Sequence, residues 1–528
     1  MSTKYWKDAD ILDFAGIKRP IEYHGKTEAE LKEYLDTLTF KPMSHLWSSN
    51  NSVAVDAEFW ERASDPHSDD PLTLHARVLY RYITECAYHD GTGEPGFVNV
   101  DRLVSKGDFT DPRFAAGEYI GSKNYTVEPD TKNLLIALFE AFQTMPYRYI
   151  VNPCAEITLS ILGGFCVIAD VVPFHASNLE EVEDAVRAAT RAMIRVNTMD
   201  SIYAAEVMRT NRIGISLTGV HEAAWKFFRV GFKDMVNPEL RVFTHTEDRR
   251  HSENGSVRAS AFWDWLGFLS QAVRDESVTY SEFLGVQVPH TCTTIKPSGT
   301  VSKLFGITEG WHLPAMRHYI RWVQYHANSP MIAEYRDKGY PVRELKTYRD
   351  HLIVGFPTEP VVCQLGMGDA LVTAGEASVE DQFRWLRLGE YFWIEGGSVS
   401  EHMMNENRPG ETLPSVDVLI KNRGYSYGNQ ISYTLKYLPD ETDFQTFFRM
   451  IRDNQPYVRC CSVMPQVNTS LSAYEYLPEE QVSVAEYEHI QSAIRKEGNL
   501  TEDVGLEHLD CSTGACPVVF ESGDKSNL

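Results

Sequence analysis

The sequence predicts an α/β protein, on three observations. From Trp47 onward, short apolar runs alternate with helical stretches, separated by polar turn clusters such as Ser48-Ser49-Asn50-Asn51-Ser52 and Asp90-Gly91-Thr92-Gly93-Glu94-Pro95-Gly96. After Ser177-Asn178, residues Leu179, Val182, Val186, Ala189 and Met193 recur at steps of three and four, which makes one buried helical stripe, with Glu180, Glu181, Glu183, Asp184 and Arg187 on the outward face. Arg212 to Gly219 reads as a buried strand that ends in a glycine turn, and a helix is expected to begin near His221, giving half of a βαβ unit.

The elements fall into three stretches. Residues 1–45 read as a helical lead-in, with Thr27 as N-cap and Glu28 to Leu38 as the helix. Residues 46–497 carry the α/β rhythm, and a chain of 528 residues has room there for a sizeable core. After Gly498 the chain turns polar and acidic, so 498–528 are expected to be a flexible tail. No apolar run approaches the roughly 18 residues that cross a bilayer, and the first residues lack the apolar core of a secretory signal. A cytoplasmic location without membrane contact is expected.

Charge narrows the partners. With 50 Lys plus Arg against 74 Asp plus Glu, the formal net charge is -24, which opposes a nonspecific grip on nucleic acid. A pocket for a single nucleotide remains possible, since backbone N–H groups can hold phosphate locally. The nine cysteines are too sparse and irregular for a disulfide scaffold, and each could be a small buried hydrophobe.

Four motifs carry chemistry. Asn152-Pro153-Cys154-Ala155-Glu156 sets an amide, a thiol and a carboxylate at alternate positions, so in an extended loop all three would face one ligand. A structural Cys154 is the competing reading. Cys166, in Gly163-Gly164-Phe165-Cys166-Val167-Ile168, lies on an expected strand leaving that loop and could share its pocket or simply belong to the core. Lys296-Pro297-Ser298-Gly299-Thr300-Val301-Ser302 follows a β-rich run and could cradle phosphate oxygens, although a plain turn would look the same. It lacks the glycine and lysine spacing of a P-loop. Cys511-Ser512-Thr513-Gly514-Ala515-Cys516 places two thiols in a polar tail, where a disulfide can open and close. A zinc site would want more ligands than the nearby His508, so no metal is expected.

Together these motifs resemble the catalytic chain of ribonucleotide reductases, most closely the adenosylcobalamin-dependent class and its monomeric triphosphate-reducing type. The resemblance rests on an ordered series: Trp47 to Val53, Gly93 to Asn99, Asn152 to Ile157, Arg195-Val196-Asn197, Asn211 to Gly214, Lys296 to Ser302 and Cys511 to Cys516. It implies part of a ten-stranded α/β barrel with a central finger loop. It also implies that Cys154 forms a thiyl radical at the ribose 3′ carbon, that Glu156 is the base and that Asn152 bonds the sugar. Cys166 would be one of two reducing thiols, Pro297 to Ser302 would hold substrate phosphates, and Cys511 with Cys516 would be recycled by a thioredoxin-like protein. The oxygen-dependent class is disfavoured because the chain has no Tyr-Tyr pair, and neither a glycyl-radical motif nor a four-cysteine site of the anaerobic class is visible.

One departure matters. In the family the other reducing cysteine lies far upstream of the radical loop, but only 153 residues precede Cys154, and Cys86 sits in what reads as a helix. The expectation is therefore one part of a split enzyme, completed by a second polypeptide that supplies the N-terminal half of the barrel. A noncatalytic nucleotide-binding remnant and a general thiol-disulfide oxidoreductase are the rivals.

Overall fold

A computed structural model describes residues 2–8, 11, 51–89, 95–110, 149–160, 163–199, 201, 203–239, 246–346, 349–398, 426–466 and 476–494. The lead-in helix expected over Glu28 to Leu38, the tail with Cys511 and Cys516, and Gly93-Glu94 of the matched series lie outside the described residues. Among those described, no helix is long and apolar enough to cross a membrane.

In chain order the strands are β1 (Ser2–Tyr5), β2 (Asn51–Val55), β3 (Gly96–Asn99), β4 (Tyr149–Val151), β5 (Thr158–Ser160), β6 (Ile168–Val171), β7 (Gly214–Leu217), β8 (Thr293–Ile295), β9 (Tyr319–His326), β10 (Val342–Glu344), β11 (His351–Thr358), β12 (Gly428–Ile431), β13 (Thr434–Tyr437), β14 (Cys460–Pro465) and β15 (Glu479–Gln481). They divide between two compact units, one drawn from residues 1–315 and 360–466, the other from 316–359 and 467–528.

The first unit is organised by a parallel sheet in the order β12-β8-β7-β6. Its register sets Ile168 beside Gly214 and Asp170 beside Ser216. Because strand side chains alternate, Ile215, Leu217, Ile295 and Ile431 enter the core while Asp170, Gly214, Ser216 and Thr294 take the opposite face. The apolar face is closed by crossover helices, as a parallel sheet requires.

The helix Leu179–Asn197 joins β6 to β7 and begins where the pattern places it. Asn178 accepts from Glu181 N, and Glu180 and Glu181 sit in the first turn, where the helix dipole favours acids. Its buried stripe is Val182, Val186, Thr190 and Ile194, with Leu179, Ala189 and Met193 packed at its margin. It lies against the helix Gly255–Leu284, and Arg187 and Arg191 both reach Glu276 across that contact. The helix expected near His221 forms over Val220–Phe228.

Behind β8 stands an aromatic wall of Trp263, Trp311, Trp385 and Trp393, all fully buried. Trp311 and Trp385 stack with ring centroids 4.3 Å apart, and Trp393 Nε1 donates to Thr294 O at 2.8 Å, which fixes the strand from its core side. Gly389 is needed here, since a Cβ would lie 2.5 Å from the Trp311 ring.

A second sheet runs β1-β2-β3-β14-β13, with only the β3–β14 pair antiparallel. Among the described residues these two sheets are separate and no barrel closes, where part of a ten-stranded barrel is expected. The physical sign is the edge strand β6, whose residues are all half-buried where an internal barrel strand would be covered on both sides. The β4–β5 hairpin pairs Tyr149 with Ser160 and Val151 with Thr158, and the Asn152–Ile157 loop joins its strands.

The second unit is an antiparallel sheet, β10-β11-β9-β15. Ile320, Trp322, Leu345, Ile353 and Val482 form one small core, and Tyr325, Ile332, Tyr335 and Val354 another.

Candidate active site

The Asn152–Ile157 loop is shaped chiefly by its own first residue. Asn152 Oδ1 accepts from Glu156 N at 3.0 Å and Ile157 N at 2.9 Å, while Asn152 N donates to Ile157 O and Ala155 N to Asn152 O. Ala155 sits at φ 60°, a left-handed conformation unfavourable for a residue with a Cβ. This corrects the extended loop expected from alternation. The left-handed residue breaks the period of two, so Asn152 turns inward, Cys154 is exposed and Glu156 is buried.

The loop is seated on the polar face of the parallel sheet. Thr294 Oγ1 of β8 donates to Glu156 O, Gln430 N of β12 approaches the same carbonyl at 3.4 Å, and Asn429 Oδ1 accepts from Thr158 N at 3.2 Å. Gly214 leaves room for this approach, since a Cβ there would lie 2.8 Å from Ile157 Cδ1. At the hairpin's base, Arg212 lies 5.1 Å from the Tyr149 ring and donates to Asp108, which also bonds His290. Burial opposes the Asp108 charge, but Arg212 and His290 outweigh it and hold the carboxyl well below its usual range.

Cys166 reaches this loop, lying two residues before β6 rather than on an expected strand. Asn152 Nδ2 donates to its sulfur at 3.5 Å, and its sulfur is 3.8 Å from Glu156 Oε1. Although Cys166 is exposed, the protein around its thiol, and next the negative charges of Glu156 and Cys154, push it up to about 12. Burial likewise raises the Glu156 carboxyl, only partly offset by Asn152 and other donors, and its buried Oε2 has no hydrogen-bond partner. Asn152, Cys154, Glu156 and Cys166 thus form one cluster: an exposed thiol, a buried carboxyl group and a second thiol kept protonated. Such a set can hand over a hydrogen atom, move a proton and supply one reducing thiol.

The Lys296–Ser302 segment follows β8 at the edge where the parallel strands end, the usual ligand edge of such sheets. Its shape differs from a loop of free hydroxyls. Ser298 is buried at φ 61° and its hydroxyl donates to Asp170 Oδ2, and Ser302 N donates to Ser298 O. Lys296 Nζ is 3.6 Å from the same carboxylate oxygen, and Lys296 N donates to Ser216 Oγ at 3.0 Å. Pro297 and Val301 are half-buried, Ser302 is buried, and Gly299 and Thr300 are exposed at the bend.

Sequence reasoning missed the residues that hold these loops. Asp170, Thr294, Asn429 and Gln430 are polar groups within short strands, and that mismatch was the available signal. Cys460 was also missed: its thiol donates to Ala155 O at 3.6 Å from β14, and burial pushes its pKa up, so it remains a donor. Cys86, by contrast, is buried on the helix Pro71–His89, as its sequence context suggested.

No protein-family model matches the chain. It is similar to the adenosylcobalamin-dependent ribonucleoside-triphosphate reductases of Lactobacillus acidophilus, 25% identical over 496 residues, and Lactobacillus gasseri, 26% identical over 499 residues. Each alignment covers 90% of this chain and 53% of the relative, so the chain spans about half the length of the curated relatives it matches. In fold it is similar to a crystal structure of a B-12 dependent (class II) ribonucleotide reductase, with a TM-score of 0.56, 20% identity, and coverage of 89% of this chain and 53% of that one.

Proposed function

We propose that this chain is the catalytic portion of an adenosylcobalamin-dependent ribonucleotide reductase, converting ribonucleotides to 2′-deoxyribonucleotides. The observation that carries the reading is the gathering of Cys154, Glu156 and Cys166 around Asn152 on one loop, with the Lys296–Ser302 bend on the same sheet. Nucleoside triphosphates are the proposed substrates, after the names of the relatives.

The roles are those that the resemblance implies, and the exposure and charge of the residues support them. Cys154, exposed at the loop, is open to a one-electron oxidant from outside the loop. Adenosylcobalamin, when bound, would supply that oxidation. The Cys154 thiyl takes the 3′ hydrogen, Glu156 draws the 3′ hydroxyl proton, and Asn152 bonds the sugar through its amide. As the 2′ hydroxyl leaves as water, two thiols give two electrons and two protons and become a disulfide, and Cys154 then returns the 3′ hydrogen. Cys166 is one of those thiols. Its high pKa suits the task, because a protonated thiol carries both the proton and the electron pair.

The second thiol comes from a partner polypeptide that supplies the N-terminal half of the barrel. Cys460 is a poor substitute, since it is buried and its S–H is used by Ala155 O. Cys511 and Cys516 then reduce the active-site disulfide and are themselves recycled by a thioredoxin-like protein in the cytoplasm.

The test is reconstitution. The chain alone, given ribonucleoside triphosphate, adenosylcobalamin and a dithiol reductant, is expected to make no deoxyribonucleotide, and adding the partner restores turnover. Full turnover by the isolated chain, lost on Cys86→Ala, would overturn the split arrangement. Activity that survives Cys154→Ala would overturn the reductase reading.

A further inference from the structure

We infer that Asp170 is a positioning residue that sets the shape of the Lys296–Ser302 loop and, through it, the grip on the substrate's phosphates. The inference rests on the proposed reading of that loop as phosphate-binding.

Asp170 is the third residue of β6, beside Ser216 of β7, and its side chain is only 4% exposed. A buried carboxylate is unfavourable unless donors surround it. Here Oδ2 receives the Ser298 hydroxyl and lies 3.6 Å from the Lys296 ammonium, while Oδ1 is buried without a hydrogen-bond partner. Burial raises the carboxyl, and Ser298 and Lys296 oppose that rise.

Two consequences follow. The single hydroxyl proton of Ser298 is given to Asp170, so Ser298 cannot also donate to a phosphate oxygen. Its role is to hold the backbone, and its φ of 61° is a conformation that a non-glycine residue keeps only when its surroundings impose it. The bend at Gly299 and Thr300 is then presented outward by a strap anchored on β6. The carboxylate also draws the Lys296 ammonium to the loop, placing one cation where a polyphosphate arrives. Cys166 lies four residues before Asp170, so a single stretch of chain ties the reducing thiol to the loop that holds the other end of the nucleotide.

The experiment measures binding of a ribonucleoside triphosphate to the full chain, with inorganic triphosphate as competitor, and KM and kcat in the reconstituted enzyme. Asp170→Ala is expected to weaken binding and raise KM about tenfold or more, the effect of losing hydrogen bonds to a charged group, with kcat within about twofold. Asp170→Asn keeps an acceptor for Ser298 and is expected to recover most of the KM, and Ser298→Ala to reproduce the Asp170→Ala defect. If Asp170→Ala leaves KM unchanged while Ser298→Ala raises it, the role of Asp170 is overturned and the loop reading stands. A fall in kcat matched by a fall in melting temperature, with no rescue by Asn, also overturns it. If inorganic triphosphate does not compete and Ser298→Ala has no effect on binding, the loop reading itself fails and takes the inference with it.

Discussion

The Asn152–Ile157 loop and the Lys296–Ser302 loop meet the same polar sheet face but are held in opposite ways. The first is shaped from within, since one asparagine four and five residues away accepts the N–H groups of Glu156 and Ile157. The second is held from outside, by a carboxylate 128 residues earlier in the chain and a serine on β7 80 residues earlier. A loop that carries its own template can present a reactive thiol in one geometry whatever approaches it. A loop strapped to neighbouring strands reports their spacing and can adjust when a ligand binds.

The contrast can be broken at its centre by Cys154→Ala. Cys154 is exposed and Asn152 holds the backbone N–H groups of Glu156 and Ile157, so the variant should stay folded, with a melting temperature close to that of the native chain, while reconstituted turnover falls to background. Next in size is the reactivity of Cys166. With its thiol pushed up to about 12, alkylation at pH 8 should be about a thousandfold slower than for free cysteine, because only the thiolate reacts. Peptide mass mapping of iodoacetamide-treated protein checks this, and ordinary reactivity at Cys166 would mean that the surrounding protein and the Glu156 carboxylate do not keep its thiol protonated.

Asn152→Ala tests the self-templated loop. It strands two backbone N–H groups, at a cost of about 2 kcal/mol or more, and should lower kcat at least about a hundredfold by releasing Glu156 and Cys154 from their geometry. Urea denaturation and steady-state kinetics measure the two parts. Thr294→Val removes one donor to Glu156 O from the sheet side and should cost less, about 1 kcal/mol, if the loop holds itself. A larger loss than for Asn152→Ala would reverse the comparison.

The smallest effect is the pH dependence from Glu156. Its carboxyl is raised in the folded chain by burial, so the associated stability is fully present below the ordinary carboxylate value and is lost as pH rises through the raised one. Glu156→Gln cannot ionise, so its stability should decline less than the native chain's as pH rises above the ordinary carboxylate value of about 4. Denaturation midpoints measured along that rise check the sign.

The same contrast explains what could be read from the residues alone. The helix Leu179–Asn197, β7 and the helix from Val220 were legible because their signals are local: a stripe at steps of three and four, an asparagine cap, a glycine turn. The grouping of Asn152, Cys154 and Glu156 was legible for the same reason, while the conformation was not, because alternation cannot anticipate a left-handed Ala155. Asp170, Asn429 and Cys460 escaped notice because each acts on a segment more than a hundred residues away. The division into two units was equally hidden, since the second unit draws on residues 316–359 and a stretch beginning at 467, and no local pattern marks that return.

The central claim is that the Cys154 sulfur takes the 3′ hydrogen of a ribonucleotide. The most direct measurement is turnover of a 3′-deuterated ribonucleoside triphosphate by this chain reconstituted with its partner, adenosylcobalamin and reductant. The account predicts slower deoxyribonucleotide formation from the deuterated than from the ordinary substrate, and none from either with Cys154→Ala. Deoxyribonucleotide formed at an undiminished rate by Cys154→Ala would contradict it.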